Sequence, residues 1–280
     1  MSVREAARKT LALRGVRLAF ETTMHGPGDE RKVFRQGEGV ADLAGRRTDV
    51  TVTVGPAILE PMAQFAHRLT EKHPWVLRDD ELRELDAGLG GVTSRDIYVG
   101  GAVFMSHPYS QKWFHNDGDT TSPRRRRNDP LWILEALMCA DDARWLESEE
   151  VRGESCKRFG FHVDLRLHRE ELDTPQEWLV GPPHVAGEVW IDREQRVHRV
   201  DSREVARRRT RQSGRRATEA DLSAYASTSL ELWDYRTDVS IDIPHIEPPQ
   251  SRTIDVLARL TARLWRRRRD YEPARRRTAE

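Results

Sequence analysis

The chain has 280 residues, enough for one large domain or two small ones, and 47 basic residues against 46 acidic ones give a formal net charge of +1. A balance this even gives no global pull toward nucleic acid or an anionic surface. No apolar run approaches the roughly 20 residues of a membrane span, and two cysteines, Cys139 and Cys156, are too few for a disulfide framework.

Residues 3–13 read as a short helix ended by Gly15. Val16, Leu18 and Phe20 then alternate with polar partners up to a Gly/Pro turn. The stretches RKVFRQGEGVADLAG and RRTDVTVTVGP supply two more strands, so the chain opens with an antiparallel meander. At Pro56 the period changes. Ile58, Met62, Phe65 and Leu69 recur at helical spacing, which predicts an amphipathic helix over 56–72 and a charged, Gly-rich connection to about residue 94.

RDIYVGGAVFMSH predicts a hairpin turning at Gly100 and Gly101, and QKWFHNDGDTTSPRRRRN a polar loop. Asp129 and Pro130 then have the form of an N-cap and first helical residue for a helix over 129–141. After ARWLESEEV and a turn at Arg152-Gly153, Phe159, Phe161, Val163 and Leu165 alternate with polar residues, giving a strand with one oily face. HREELDTPQEWL reads as a short helical piece, GEVWIDREQRVHRVDS as a hairpin turning at Asp192–Gln195, and STSLELWDYRTDVSIDIP as a last long strand. Residues 203–216, with seven basic residues and one acidic, read as a solvated loop. Eight to ten strands and three or four helices in this order predict α+β architecture, with an antiparallel sheet and no alternating βαβ units.

The order of these pieces resembles the actinobacterial lipoprotein family of LppX, LprA, LprF and LprG, and more distantly the LolA/LolB carriers. The resemblance rests on the opening helix and meander, IYVGGAVFM followed by Trp113, NDPLWILEAL, EEVRGESCKRFGFHVDL, GEVWIDREQRVHRV and LELWDYRTDVSIDIP, and covers roughly 3–55 and 95–249. It implies a LolA-like half-barrel, a curved antiparallel sheet wrapped around helices, whose concave face holds a hydrophobic cavity for acyl chains. It implies no catalysis. The chain departs from the family in having no lipobox cysteine before the domain, in the helical insertion at 56–94, and in arginine-rich stretches at 124–127 and 203–216. As written it is expected in the cytoplasm, peripheral at the membrane, or exported as a lipoprotein if a signal peptide precedes Met1.

Facing alone nominates the cavity residues as Phe20, Val52, Val54, Phe104, Leu134, Leu137, Phe159, Phe161, Val163 and Trp190. Most are equally suited to a packed core, and Trp190 has Val189 and Ile191 on the opposite face. The segment 250–280 stands apart as a basic C-terminal helix and tail. Ile254, Leu257, Leu260, Leu264 and Trp265 fall on one half of a helix and Arg259, Arg263 and Arg266 on the other. That pattern fits an anionic membrane surface or a partner, and equally a helix docked on the protein's own body.

Catalytic signals are poor. His115, Asp117 and Asp119 cluster in WFHNDGD, but in a polar loop. Cys156 and His162 lie about 20 Å apart along one strand, too far for a thiolate–imidazole pair. GxSxG, P-loop and GxGxxG motifs are absent from the sequence. The two cysteines make either one bridge or two buried thiols. No cofactor, metal or nucleic acid partner is expected. The resemblance, together with these poor catalytic signals, implies a non-enzymatic protein binding a lipid or other hydrophobic molecule between sheet and helices. The alternative is a ligand-free structural or regulatory module whose arginine-rich segments contact an acidic protein.

Overall fold

A computed structural model describes residues 2–25, 30–72, 92–100, 102–106, 113–116, 129–140, 143–168, 184–207, 222–235 and 237–244. They form one open, curved antiparallel sheet of eleven strands with helices packed on it, the α+β class that the sequence predicts. Helix α1 (Val3–Leu11) leads into β1 (Gly15–His25), β2 (Arg31–Asp42) and β3 (Arg47–Val54); α2 (Pro56–Lys72) follows, then β4 (Val92–Val99), β5 (Ala102–Ser106) and β6 (Trp113–Asn116). Helix α3 (Trp132–Leu137) precedes β7 (Arg144–Val151), β8 (Glu154–Asp164), β9 (His184–Ile191), β10 (Val197–Arg207) and β11 (Leu222–Trp233).

The strand order is β6-β5-β4-β3-β2-β1-β11-β10-β9-β8-β7. The first meander runs from the middle of the sheet to one edge, and the second runs from the other edge back to the middle, where β1 pairs with β11. The link between the two edges carries α3 over one face, here called the inner face. That passage explains the composition of α3. Ile133, Leu134 and Leu137 are wholly buried and Ala136 nearly so, because the sheet lies on one side of the helix and α1 on the other. The one polar residue of the helix, Glu135, pairs with Arg46 (3.4 Å), and its apolar faces must be enclosed.

Helix α1 closes the stack. Val3, Ala6, Ala7 and Thr10 recur at i, i+3, i+4 and i+7 and are all buried. Ser2 and Glu5 form a capping box at its start. Thr10 ties the helix to the sheet, its hydroxyl donating to the Ala6 carbonyl (2.8 Å) and accepting from the Val197 N–H (2.9 Å). Arg4 Nε donates to the Ala140 carbonyl (3.0 Å), holding the end of α3 against α1.

Tight turns set the register. Arg152 and Gly153 take φ of +50° and +84°, the left-handed pair that a two-residue hairpin needs. At Gly39 and Gly187 a Cβ would stand 2.0 Å from a carbonyl oxygen of the next strand, Asp49 and Asp201 respectively. Strands approach too closely there for any side chain.

Four predicted features differ. WFHN, read as loop, is strand β6, because the edge of β5 offers a hydrogen-bonding ladder that local propensity does not register. The helix expected over 129–141 is cut to Trp132–Leu137. Asp129 Oδ1 accepts from the Leu131 N–H (2.9 Å), so Asp129 starts a preceding turn, while i+3 hydrogen bonds end the helix at Met138–Ala140. The predicted long last strand stops at Trp233, where Asp234 turns with φ +56°, and 237–244 continues as an extended strap. Arg203–Arg207, read as part of a loop, belongs to β10, paired to β9 and β11 through its backbone.

If α3 is the keystone of the inner face, Leu134→Ala lowers the unfolding free energy by about 2–5 kcal/mol in urea denaturation. Trp145→Ala, at a side chain 59% exposed on the edge strand β7, changes it by under about 0.5 kcal/mol. Equal costs for the two would contradict this packing.

Candidate functional site

The inner face is the candidate site, and its centre is filled. Phe20, Val52, Leu134, Leu137, Phe161 and Val163 meet in one cluster with Leu18, Val189, Val200, Leu230 and Leu232. Their exposures run from 0 to 5%. A side chain lining an empty ligand-sized cavity keeps surface open to a water-sized probe, so these six bury one another as core. Phe159 packs at the margin of the cluster and remains half-buried.

Two nominated residues lie on the other face. Cross-strand pairing sets Phe104 opposite Ile97, and both are covered from outside by Ile241 of the strap. Trp190 joins Val151 and Cys156. Its ring lies under the guanidinium groups of Arg158 (5.2 Å) and Arg199 (5.0 Å), and its Nε1–H donates to Glu149 Oε2 (2.9 Å). IYVGGAVFM is apolar on both faces, so alternation alone could not orient Phe104.

Apolar access survives at the β3–β5 end. Val54 pairs with Val92, and Tyr98 with Val103, while Met105 faces the inner-face residue Asp96. Val54, Val92, Val103 and Met105 are all partly exposed. Next to them lies a buried polar group built on an arginine that nothing local distinguishes among the 42 in the chain. Arg35 lies over the Phe20 ring (5.2 Å), and its Nη1 donates to the Tyr98 hydroxyl (3.3 Å). Tyr98 donates to Asp96 Oδ2 (3.4 Å), and Ser94 to Asp96 Oδ1 (2.7 Å). Burial raises the Asp96 carboxyl above the ordinary carboxylate range against the opposing pull of Ser94, Arg35 and Tyr98. Burial likewise keeps the Tyr98 phenol protonated.

A second polar group is structural. Asp192, in the β9–β10 turn, accepts from the Arg196 N–H (2.7 Å), Arg196 Nε (2.6 Å) and the His198 ring (2.9 Å). His198 stands edge-on to Tyr235, whose hydroxyl donates to the Val197 carbonyl. Neither cysteine forms a disulfide and both are buried, which decides for two thiols. Burial and the charge of Asp192 push the Cys156 thiol up to about 12, leaving it protonated and non-nucleophilic near neutrality. Among the described residues no cluster of His, Cys, Asp and Glu has the makings of a metal site. Asp117 and Asp119 lie outside the described residues, as do 208–216 and the whole of 254–266. No described helix is long and apolar enough to cross a membrane.

No family model matches the chain, and no curated protein matches it. Solved structures similar to it include LprF from Mycobacterium bovis, with TM-score 0.42, 7% identity, and coverage of 86% of this chain and 94% of that one. The lipoprotein LppX from Mycobacterium tuberculosis has TM-score 0.42 and 11% identity, covering 86% and 98%. A putative outer membrane lipoprotein-sorting protein domain from Vibrio parahaemolyticus has TM-score 0.25 and 7% identity, covering 82% and 90%. At such identities and TM-scores these likenesses carry no argument about activity.

The Asp192 group yields a pH prediction. Burial alone would raise this carboxyl, but the Arg196 N–H, His198 and the Arg196 guanidinium together hold it below its ordinary value. Its contribution is therefore present above the unfolded pKa of about 3.9 and lost as pH falls through the lower folded value. Asp192→Asn lowers the unfolding free energy by about 1–3 kcal/mol near neutral pH. In denaturation curves the gap to wild type narrows below about pH 3.9. A gap that stays constant into that acid range would contradict the assignment.

Proposed function

We propose that this is a non-enzymatic binding protein that holds the hydrocarbon part of a lipid, or another hydrophobic small molecule, at the β3–β5 end of the sheet's inner face. One observation carries the reading. Val54, Val92, Val103 and Met105 face inward and keep partial exposure, while the centre of the same face is sealed. The buried Arg35–Tyr98–Asp96 group bounds this end with polar atoms, so a ligand with an apolar tail and a polar head would find both environments within a few strand spacings. Each methylene taken from water into such a margin contributes about 0.8 kcal/mol.

Helix α2 starts two residues after Val54 and buries Leu59, Ala63 and Ala66. Lys32 holds it to β2 through Glu60 (2.7 Å), an ion pair with both partners partly exposed. Such a pair contributes about 0–1 kcal/mol, so apart from its buried Leu59, Ala63 and Ala66 the helix is held only weakly. The binding site then lies between α2 and the sheet margin.

A second reading has its own support. The filled centre is what a ligand-free structural or regulatory module needs, with arginine-rich segments meeting an acidic protein.

Native mass spectrometry with organic extraction separates the two. The ligand reading predicts a co-purifying lipid, or uptake of palmitic acid on titration. Val54→Asp then weakens uptake at least about tenfold, the cost of placing a charge against the chain, while thermal unfolding and circular dichroism stay those of the folded protein. A clean mass with no uptake by wild type would overturn the reading in favour of the module.

A further inference from the structure

The outer face of the sheet is independent of the ligand reading, and its side chains are ordered in rows. Arg95, Thr51, Glu38, Ala19, Glu231 and Arg199 stand in one line across β4-β3-β2-β1-β11-β10. The neighbouring line runs Thr53, Gln36, Glu21, Ser229, Asp201. Tall stacks flank the middle of these rows, Arg95 on Trp113 (5.7 Å) to one side and Arg152 on Trp233 (3.9 Å) to the other. Between them short side chains leave a trough of about 470 Å³. Glu21, Glu38 and Glu231 are among its lining residues, which include no arginine or lysine. Elsewhere on this face Asp49 is matched by Arg95 and Glu188 by Arg158, and at the edge of the trough Glu231 is matched by Arg152. Across the strands Glu21 meets Gln36 and Ser229, and Glu38 meets Ala19 and Thr51.

One end of the same face is already covered by the chain itself. In the strap 237–244, Val239 and Ile241 pack with Val40, Ile97 and Phe104. The residues that follow carry a strong positive excess. Residues 251–280 hold ten arginines against four acids, +6, which leaves −5 for residues 1–250.

We propose that the chain's own basic segment, residues 254–266, docks in this acidic trough, with Arg259, Arg263 and Arg266 meeting Glu21 and Glu38. Three arguments favour this occupant over a separate partner. The charges are complementary. The strap's interface leads onto the same face. The chain between residues 244 and 254 reaches up to about 33 Å, more than the roughly 20 Å across four strands. Tethering also raises the local concentration of the segment to the millimolar range. Ion pairs at an exposed trough are weak and screened by salt, so the segment is a latch that releases as ionic strength rises.

Limited trypsin digestion of the full chain tests the proposal, with cleavage after Arg259 and Arg263 followed by mass spectrometry. Rates are normalised to the free 250–280 peptide to remove trypsin's own response to salt. At about 0.05 M NaCl, where screening is weak, wild type is cut about tenfold more slowly than the Glu21→Gln/Glu38→Gln variant, and near 1 M the two converge. The charge-matched variant Glu150→Gln/Glu154→Gln, at the β7–β8 turn, keeps the low-salt protection. Equal rates for wild type and the trough variant at low salt would overturn the proposal, as would loss of protection in the charge-matched variant. Protection that arises only on adding phosphatidylglycerol vesicles would also overturn it, by making an anionic surface the occupant.

Discussion

A single sheet with one apolar face cannot be left bare, because each Å² of exposed apolar surface costs about 25 cal/mol. In this protein the cover is a consequence of the chain's path. The first meander ends at one edge of the sheet and the second begins at the other, so the link between them must cross a face. The link crosses as α3, apolar but for Glu135, and α1 seals it from above through Thr10 and Arg4. The joining of the two meanders at β1 and β11, the burial of the centre and the position of the open margin all fit that crossing.

What the sequence made legible tracks how local the signals are. The helix over 56–72 matches α2, and the turns at Arg152-Gly153 and Asp192–Gln195 form where Gly and Asp chemistry puts them. Alternation oriented Phe20, Val52, Phe161 and Val163 correctly because their polar neighbours mark the opposite face. It failed for Phe104, where both faces of the hairpin are apolar, and for Trp190, which is buried by arginine stacking beside Val151 and Cys156. Strand β6 and the strap were illegible for a related reason. A short segment acquires its structure from an edge or a face supplied by residues far away in the chain. Arg35 was hidden by number, since nothing local distinguishes one buried arginine among 42.

These failures refine the function. The residues named for a cavity form most of the core, and the apolar access lies beside them, at side chains that the facing argument, Val54 apart, did not select. The outer face repeats a different rule, in which an arginine over a tryptophan is held by carboxylates of neighbouring strands. Such stacks give a highly charged surface defined relief, and the acidic trough, where Arg152 meets Glu231, lies between them.

Methyl NMR on the protein's five methionines tests the central claim most directly, that the centre is filled core and the β3–β5 margin takes the hydrocarbon. Met105 faces inward at that margin, whereas Met138 packs against the filled centre at the end of α3. On titration with palmitic acid the account predicts a shift of the Met105 methyl resonance and none at Met138. A shift at Met138, or at neither, would contradict it: the first by opening the centre, the second by leaving the margin empty.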